Sequence, residues 1–589
     1  MTTEYITVAV YLTILLVIGA VMGRFNRNLS DYVRGGAQGV WWLVGVSILM
    51  SGISAFTFTG NASAAFDAGP SMLVIYLANV LGLSAAGLVL AHRFRRTRAH
   101  TVPDIMRSRF GPSVEQFNVY VGLVLGPFGA AIQLWALAVF ASSVFSLPLH
   151  ATIIAIGGVV VFYSTTGGKW AVMATDFVQG MIMIPITLLL CYLALVKIGG
   201  IGSFLGYFTD PAFANDFKFV KDSGQFADNK FALQWIVVIF CMQFFGQIGI
   251  GGTHRFLSAK DGKEASKAAW LAAALMAVGT IVWFLPPMVA RFIYADQVAA
   301  MGVDNPSNAS YAFMAITLLP KGLLGIMIAA MFSATMSSMD TGLNNQSGAI
   351  MRNLVPRLRG VLGMEPLSDR ANLFWAKLAT VLLGMLVISY SLLMSSGGEI
   401  VLFDAYFIIA SVVGLPISLP LLAALYIKRL PKWSYFFTTA MCLIPSAWSI
   451  IQGKLYDNPW TIQERIMWVF IFFIVGTLIS MPFYRRSSEA YKKQATEFFK
   501  RMRTPIDFEK EIGVTRDYDQ LNLMGNTCLI AATLLSSLFI LVRAWWEAGC
   551  VAFLVGFVVV VGLLLRHGAS REKRRFKAYQ ATHPESDSA

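Results

Sequence analysis

The chain has 589 residues, 56% of them hydrophobic and only 13% charged, with a mean hydropathy of +0.64. No soluble globular domain of ordinary composition approaches that balance, so lipid is the solvent for most of the chain. The net charge of +14 would suit a nucleic acid if gathered on one face, but the Lys and Arg residues lie between the apolar runs, so no nucleic-acid partner is expected.

The first apolar run, residues 6–22, follows Glu4 with no Lys or Arg before it, and Arg24 and Arg27 come after. A signal peptide has the reverse charge order, so a retained helix with its N-terminus outside is expected. Taking about 20 mostly apolar residues per crossing, spans are expected at 5–23, 40–66, 71–91, 117–145, 150–164, 169–197 and 232–253. They continue at 268–293, 321–351, 371–395, 399–427, 433–452, 463–484, 524–543 and 547–565. That is about fifteen helices, which puts the C-terminus inside.

Positive charge agrees with this topology. Arg93, Arg95, Arg96, Arg98, Arg107 and Arg109 follow the third span; Arg255, Lys260, Lys263 and Lys267 follow the seventh; Arg352, Arg357 and Arg359 follow the ninth. The tail carries Arg571, Lys573, Arg574, Arg575 and Lys577, while the outer loops 198–231 and 294–320 hold most of the remaining acids. The expected location is the plasma (cytoplasmic) membrane, crossed many times. Residues 485–523 form the longest polar stretch and read as a cytoplasmic linker or surface helix before a terminal hairpin, a solvated linker being favoured.

Two spans are interrupted, five apart in order. The second carries Ser51-Gly52-Ile53-Ser54-Ala55-Phe56-Thr57-Phe58-Thr59-Gly60-Asn61, and the seventh carries Gly246, Gly249, Gly251 and Gly252. Glycines can simply allow close helix packing. Broken helices at matching places in two five-helix halves point instead to an inverted-repeat transporter, whose unwound backbone offers carbonyls and amides at mid-membrane.

The ninth span reads Ala330-Met331-Phe332-Ser333-Ala334-Thr335-Met336-Ser337-Ser338-Met339-Asp340-Thr341. At helical spacing Ala334, Ser337, Ser338, Thr341 and Asn345 share one stripe, with Asp340 and Asn344 on its flank. Membrane hydroxyls often bond back to their own helix. An ionised carboxylate near the bilayer centre costs about 2.5–3.5 kcal/mol, so Asp340 needs a cation, a proton or a cavity. Asp176 falls at similar depth in the sixth span. Carboxylates, hydroxyls and freed carbonyls without a thiolate or imidazole cluster suit sodium better than a transition metal.

No enzymatic constellation is present. His92, His100, His150, His254, His567 and His583 lie in loops or the tail, and Cys191, Cys241, Cys442, Cys528 and Cys550 stand singly. No glycine run has the Lys-Ser/Thr ending of a phosphate loop, so transport would be driven by an ion gradient.

The pattern also resembles the sodium/solute symporter family, which includes sodium/glucose, sodium/proline and sodium/sialic acid transporters, over about residues 30–430. The likeness rests on Tyr163-Ser164-Thr165-Thr166-Gly167-Gly168-Lys169-Trp170-Ala171-Val172 running into Thr175-Asp176-Phe177-Val178-Gln179. It rests too on His254-Arg255-Phe256-Leu257-Ser258-Ala259-Lys260-Asp261 and on Ser337-Ser338 followed by Leu343-Asn344. The resemblance implies the leucine-transporter fold, an all-α protein with a five-plus-five inverted-repeat core. The core would be 39–430 (repeats 39–197 and 232–428), preceded by 1–38. After it come two helices in 431–484, the linker 485–523, a hairpin 524–566 and a basic tail 567–589.

It also implies one sodium held by the carbonyls of Met50, Ile53 and Ala334 and the hydroxyls of Ser337 and Ser338. Some members hold a second sodium, at positions matching Asp176, Ser337, Asp340 and Thr341; Asp340 departs from the family's usual small or hydroxyl residue. Solute is expected near Ser54, Thr57, Asn61, Gln247, Asp404 and Tyr406. The expected function is sodium-coupled import of a small polar solute by alternating access, with sodium as coupling ion and no cofactor. A sugar or sugar acid is favoured, a monocarboxylate or a proline-like amino acid is the alternative, and a transporter-like sensor is the reading from another class.

Overall fold

The computed structural model describes residues 37–145, 147–249, 254–301, 305–396, 402–456, 460–507 and 517–582, with Glu4, Thr7, Val8, Tyr11, Thr13 and Glu511; side chains of 166–171, 402 and 575–582 are outside that description. Among the described residues there are helices and two isolated bridges but no sheet. Lipid imposes this, since each backbone amide must be bonded within its own segment. Among the described residues eleven helices are long and apolar enough to cross a membrane, and three shorter apolar ones, Trp41–Gly52, Leu149–Thr165 and Leu233–Gln247, accompany them. Each predicted span from 40–66 onward thus has a helical counterpart, while the first falls almost wholly outside the described residues. The few described there touch the bundle: the Tyr11 hydroxyl lies 3.1 Å from that of Ser333.

The first half comprises α1 (Trp41–Gly52), a single turn Ala55–Phe58, α2 (Gly60–Ala68), α3 (Leu73–Ala85), α4 (Val102–Phe110), α5 (Pro112–Phe145) and α6 (Leu149–Ile198). Gly69, which ends α2, has φ +58, and a Cβ there would meet the Phe217 ring at 2.5 Å, so only glycine fits. Although α6 is helical throughout, the hydroxyls of Tyr163 and Thr175 lie 2.7 Å apart. Twelve residues of straight helix would separate their backbones by about 18 Å, more than the two side chains can bridge. The helix axis therefore bends between them, dividing the segment into the apolar stretches Leu149–Thr165 and Val172–Ile198.

The second half comprises α7 (Leu233–Gln247), α8 (Gly262–Ile293), α9 (Leu323–Ala349), α10 (Asp369–Ser395), α11 (Leu402–Ile409) and α12 (Leu415–Tyr426). As the glycine cluster predicts, α7 stops just before Gly249; Gly251 and Gly252 lie outside the described residues. The most enclosed span is α9, with 94% of its apolar window buried, packed on α1, α5, α6 and α10. Shielding from lipid is what lets it carry Ser333, Ser337, Asp340, Thr341 and Asn344 in its buried face.

Beyond the core lie α13 (Ser434–Leu455), α14 (Ile462–Ser480), α15 (Glu489–Arg503), α16 (Asp517–Ser536) and α17 (Trp545–Thr582). The hairpin of α16 and α17 is built on bare backbones: a Cβ on Gly525 would sit 3.0 Å from the Gly562 carbonyl oxygen, and one on Gly562 3.1 Å from that of Gly525.

The stretch expected as a solvated linker is instead docked. Tyr491, Ala495, Phe498 and Met502, one face of α15 at helical spacing, are buried. Arg109, fully buried, donates to the carbonyls of Ala424, Ile427 and Lys428 and to the Tyr491 hydroxyl. Arg98 pairs with Glu511 at 2.6 Å, and Gln494 donates to the carbonyls of Arg107 and Ser108. The polar sequence of this stretch hid an apolar stripe only four residues long, too short to stand out beside membrane helices.

Candidate functional site

The break after α1 is local in origin. Ile53 (φ −119, ψ 140) and Ser54 (φ −151, ψ −179) are extended, and Ser54 opens the next turn by capping, its hydroxyl accepting from the Phe56 amide. The Ala55 amide, freed by the break, donates to the Thr335 hydroxyl on α9 at 2.8 Å. The carbonyl ends left behind face α9 as well: those of Met50, Ser51 and Ile53 lie 3.5, 3.1 and 3.1 Å from Ser338 Oγ. A hydroxyl carries one hydrogen and can donate to only one of the three. Beside it, Ser337 Oγ is buried with no hydrogen-bond partner among the described residues.

Converging carbonyl and hydroxyl oxygens with an unserved buried hydroxyl suit a hard monovalent cation. Of the positions expected to hold sodium, Met50, Ile53 and Ser338 are brought together, with Ser337 adjacent and Ala334 buried one turn earlier. The Ser51 carbonyl, which joins them, was not anticipated; its only signal is its place in the same unwound stretch.

Several atoms of the second expected set are bonded to protein groups. Asp176 Oδ2 accepts from Ser47 Oγ at 2.5 Å and pairs with Arg255 Nη1 at 2.6 Å. The other guanidinium nitrogen, Nη2, donates to the Thr341 hydroxyl, and Asn344 Nδ2 donates to Asp340 Oδ1 at 2.9 Å. Asp176 and Arg255 are 0% and 2% exposed. The sequence placed Arg255 among loop charges that face the cytoplasm; it is instead turned into the bundle, a placement that charge counting has no means to detect.

The expected solute residues are held by three sets of contacts. Tyr76 donates to Thr57 Oγ1 at 3.0 Å and accepts from Asn61 Nδ2 at 3.1 Å, a chain that joins α2 to α3 next to Ser54. Gln247 Nε2 donates to Asn79 Oδ1 at 3.2 Å, tying the end of α7 to the same face of α3. Tyr76 and Asn79, three apart in an apolar run, were legible as a polar pair but were not selected as solute contacts. Asp404 is held by Lys230 at 2.6 Å, and the Tyr406 ring lies 5.5 Å from that of Phe56.

A cavity of about 510 Å3 runs from Ser338 to Thr101 and Ile350, where the basic segments lie. Its polar lining is amide, hydroxyl and imidazole: Asn118 and Gln133 on α5, Asn345 and Gln346 on α9, Ser418 on α12, and His100 and His254 at its edge. Among the described residues no Asp, Glu, Lys or Arg lines it. Gly126 on α5 leaves room for the Gln346 carboxamide, whose Nε2 would sit 1.5 Å from a Cβ there. The cavity thus reaches Ser338 from the side of the basic segments.

Comparison with known proteins agrees with this architecture. The model of the sodium:solute symporter family matches residues 32–436. Sodium/glucose cotransporter 2 of Rattus norvegicus is 25% identical over 504 residues, covering 75% of this chain and 73% of that protein. The sodium/myo-inositol cotransporter of Mus musculus is 24% identical over 497 residues, covering 77% and 67%. The structure of a Na+-coupled sialic acid symporter in a substrate-bound outward-open state superposes with TM-score 0.68 at 19% identity, covering 82% of this chain and 98% of that one. With the family match spanning most of the chain and the broken-helix core in place, the chain belongs to the sodium:solute symporter family and is a multi-pass membrane transporter, not an enzyme.

Proposed function

We propose that this symporter carries a neutral polyhydroxylated solute, a sugar or polyol, into the cell together with sodium. The observation that carries the ion half is the convergence of the Met50, Ser51 and Ile53 carbonyls on Ser338, beside the unserved Ser337 hydroxyl. Sodium there would tie α1 to α9 across the break, so that its release loosens the same contact that shapes the solute region. By linkage, solute raises sodium affinity by the factor that sodium raises solute affinity.

The solute half rests on chemistry. Ser54, Thr57, Asn61, Tyr76, Asn79 and Gln247 offer paired donors and acceptors and no charge, and the cavity beyond is amide-lined. A carboxylate solute would meet no Lys or Arg in this path among the described residues, only the imidazoles of His100 and His254, whereas a solute rich in hydroxyls suits its amides and hydroxyls. Relatives named for glucose and myo-inositol transport favour the same class. One sodium moving down about 100 mV and a tenfold gradient supplies roughly 2.3 plus 1.4 kcal/mol, enough for about 500-fold accumulation.

The test is binding of sugars, polyols, sugar acids, monocarboxylates and amino acids to purified protein in sodium and in potassium. The reading expects a sugar or polyol that binds only in sodium and loses that dependence in Ser337→Ala/Ser338→Ala. Binding that is equal in potassium would overturn it.

A further inference from the structure

Given the symporter reading above, we infer that Lys230 is an outer latch: carried on a strained hairpin, its ammonium fastens α11 over the break between α1 and α2 and must release Asp404 before solute can enter from outside. The ammonium lies 2.6 Å from Asp404 Oδ2 near the start of α11. Asp404 Oδ1 is buried with no hydrogen-bond partner among the described residues, so among them this ammonium alone bonds the carboxylate. Two residues further along α11, the Tyr406 ring lies 5.5 Å from that of Phe56, which stands between Ser54 and Thr57 in sequence. Lys230 and Arg291 also attract the Asp67 carboxylate at the end of α2. One lysine thus pulls on both halves of the core at the outer end of the solute region, and holding α11 keeps an aromatic ring beside the solute residues.

The hairpin holds Lys230 in place by force. Asp228, Asn229 and Phe231, on either side of it, have φ of +58, +52 and +63, a left-handed conformation that residues with a side chain rarely adopt and that their surroundings must impose. Here they do. Asn229 Oδ1 accepts from the Gly224 amide, Gln463 on α14 donates to the Asp228 carbonyl, and the Lys221 amide donates to the Phe231 carbonyl. The Phe231 ring is buried 4.6 Å from that of Trp235 on α7 and 6.3 Å from that of Phe403, next to Asp404. Contacts with α7, α11 and α14 thus maintain the strained backbone, and its product is one lysine aimed at one carboxylate. The pair is made in a structure whose cavity reaches Ser338 from the basic, inner side, and alternating access closes the outer approach while the inner one is open.

The experiment reads access from the two sides, in potassium and without solute. Ser54→Cys, in the solute region, is reacted with an impermeant thiol reagent in right-side-out vesicles, and Ser418→Cys, lining the inner cavity, in inside-out ones. Each is made in the full-length chain with the latch intact, with Lys230→Gln, with Asp404→Asn, and with the exchanged pair Lys230→Asp/Asp404→Lys. Either single variant is expected to raise the rate at position 54 about 2- to 5-fold, the factor that an ion pair of this exposure supplies, without raising the rate at position 418. The exchanged pair is expected to return the rate at position 54 toward that of the intact latch. An unchanged rate at position 54, or rates that rise at both positions as a loosened fold would give, would overturn the inference. The single variants break the pair from either end, so one that does not fold leaves the other as the test. Failure of the symporter reading looks different: solute would bind equally in sodium and potassium, whatever the labelling rates.

Discussion

Replacing Ser338 by alanine removes the hydroxyl that stands between three backbone carbonyls and the cavity. As an ion ligand that oxygen contributes as a hydrogen bond to a charged group does, about 1.5–3 kcal/mol. At 1.4 kcal/mol per factor of ten, the sodium concentration for half-maximal uptake rises about 10- to 150-fold. As a tie between α9 and the broken α1 it contributes about 1 kcal/mol of stability, so the sodium-free thermal midpoint falls by only a few degrees. The assay is sodium activation of solute uptake in proteoliposomes, read beside thermal melting with and without sodium. The account requires a large shift in sodium dependence and the loss of any sodium-induced rise in the midpoint. An unchanged sodium dependence with a lowered midpoint would refute the reasoning and leave Ser338 as a structural tie alone.

Other consequences follow from the surroundings. Arg109→Ala leaves three carbonyls and the Tyr491 hydroxyl without their buried donor, a loss of about 3 kcal/mol; thermal melting in detergent should show it, and Arg107→Ala, at an exposed position, should not. Gly126→Val drives a side chain into the space of the Gln346 carboxamide; solute efflux should slow more than sodium-dependent solute binding weakens, and equal loss of both would contradict the assignment of the cavity as exit path. Asp404→Asn removes the ion pair with Lys230, so a cysteine placed at Ser54 should react faster with an impermeant thiol reagent added from outside. Burial raises the Asp104 carboxyl, but the Arg352 guanidinium and the Asn353 and His100 donors outweigh it and hold it below its usual 3.8. A value lowered by folding gives a contribution that is full above 3.8 and is lost as pH falls through the folded value. Between about pH 5 and 3 the melting midpoint should therefore fall more for wild type than for Asp104→Asn.

The membrane class, the spans and the broken second span were legible because lipid leaves a one-dimensional record: apolar length, flanking charge and a run of Ser and Gly where a helix ought to continue. The Ser337-Ser338 pair was legible for the same reason, as polarity in a place that lipid forbids. Charge counting failed at Arg95, Arg109 and Arg255. Each stands in a basic segment and supports the topology by its position, yet each is buried, holding carbonyls or a carboxylate. Whether an arginine at a helix end points to water or back into the bundle depends on which groups the fold leaves unserved, and sequence does not show those. The partner of Asp404 was equally hidden, since Lys230 lies in a loop far away in sequence. The docking of α15 required knowing that Arg109 would meet Tyr491, a pairing across 382 positions.

The central claim is that sodium bound between α1 and α9 drives the uptake of a neutral solute. Proteoliposomes given an inward sodium gradient and an inside-negative potential, with radiolabelled D-glucose and myo-inositol beside sialic acid, lactate and proline, test it directly. The account predicts accumulation of a sugar or polyol above its outside concentration, collapsing when potassium replaces sodium and in Ser337→Ala/Ser338→Ala. Uptake of the same size in potassium, or accumulation confined to a charged solute, would contradict it.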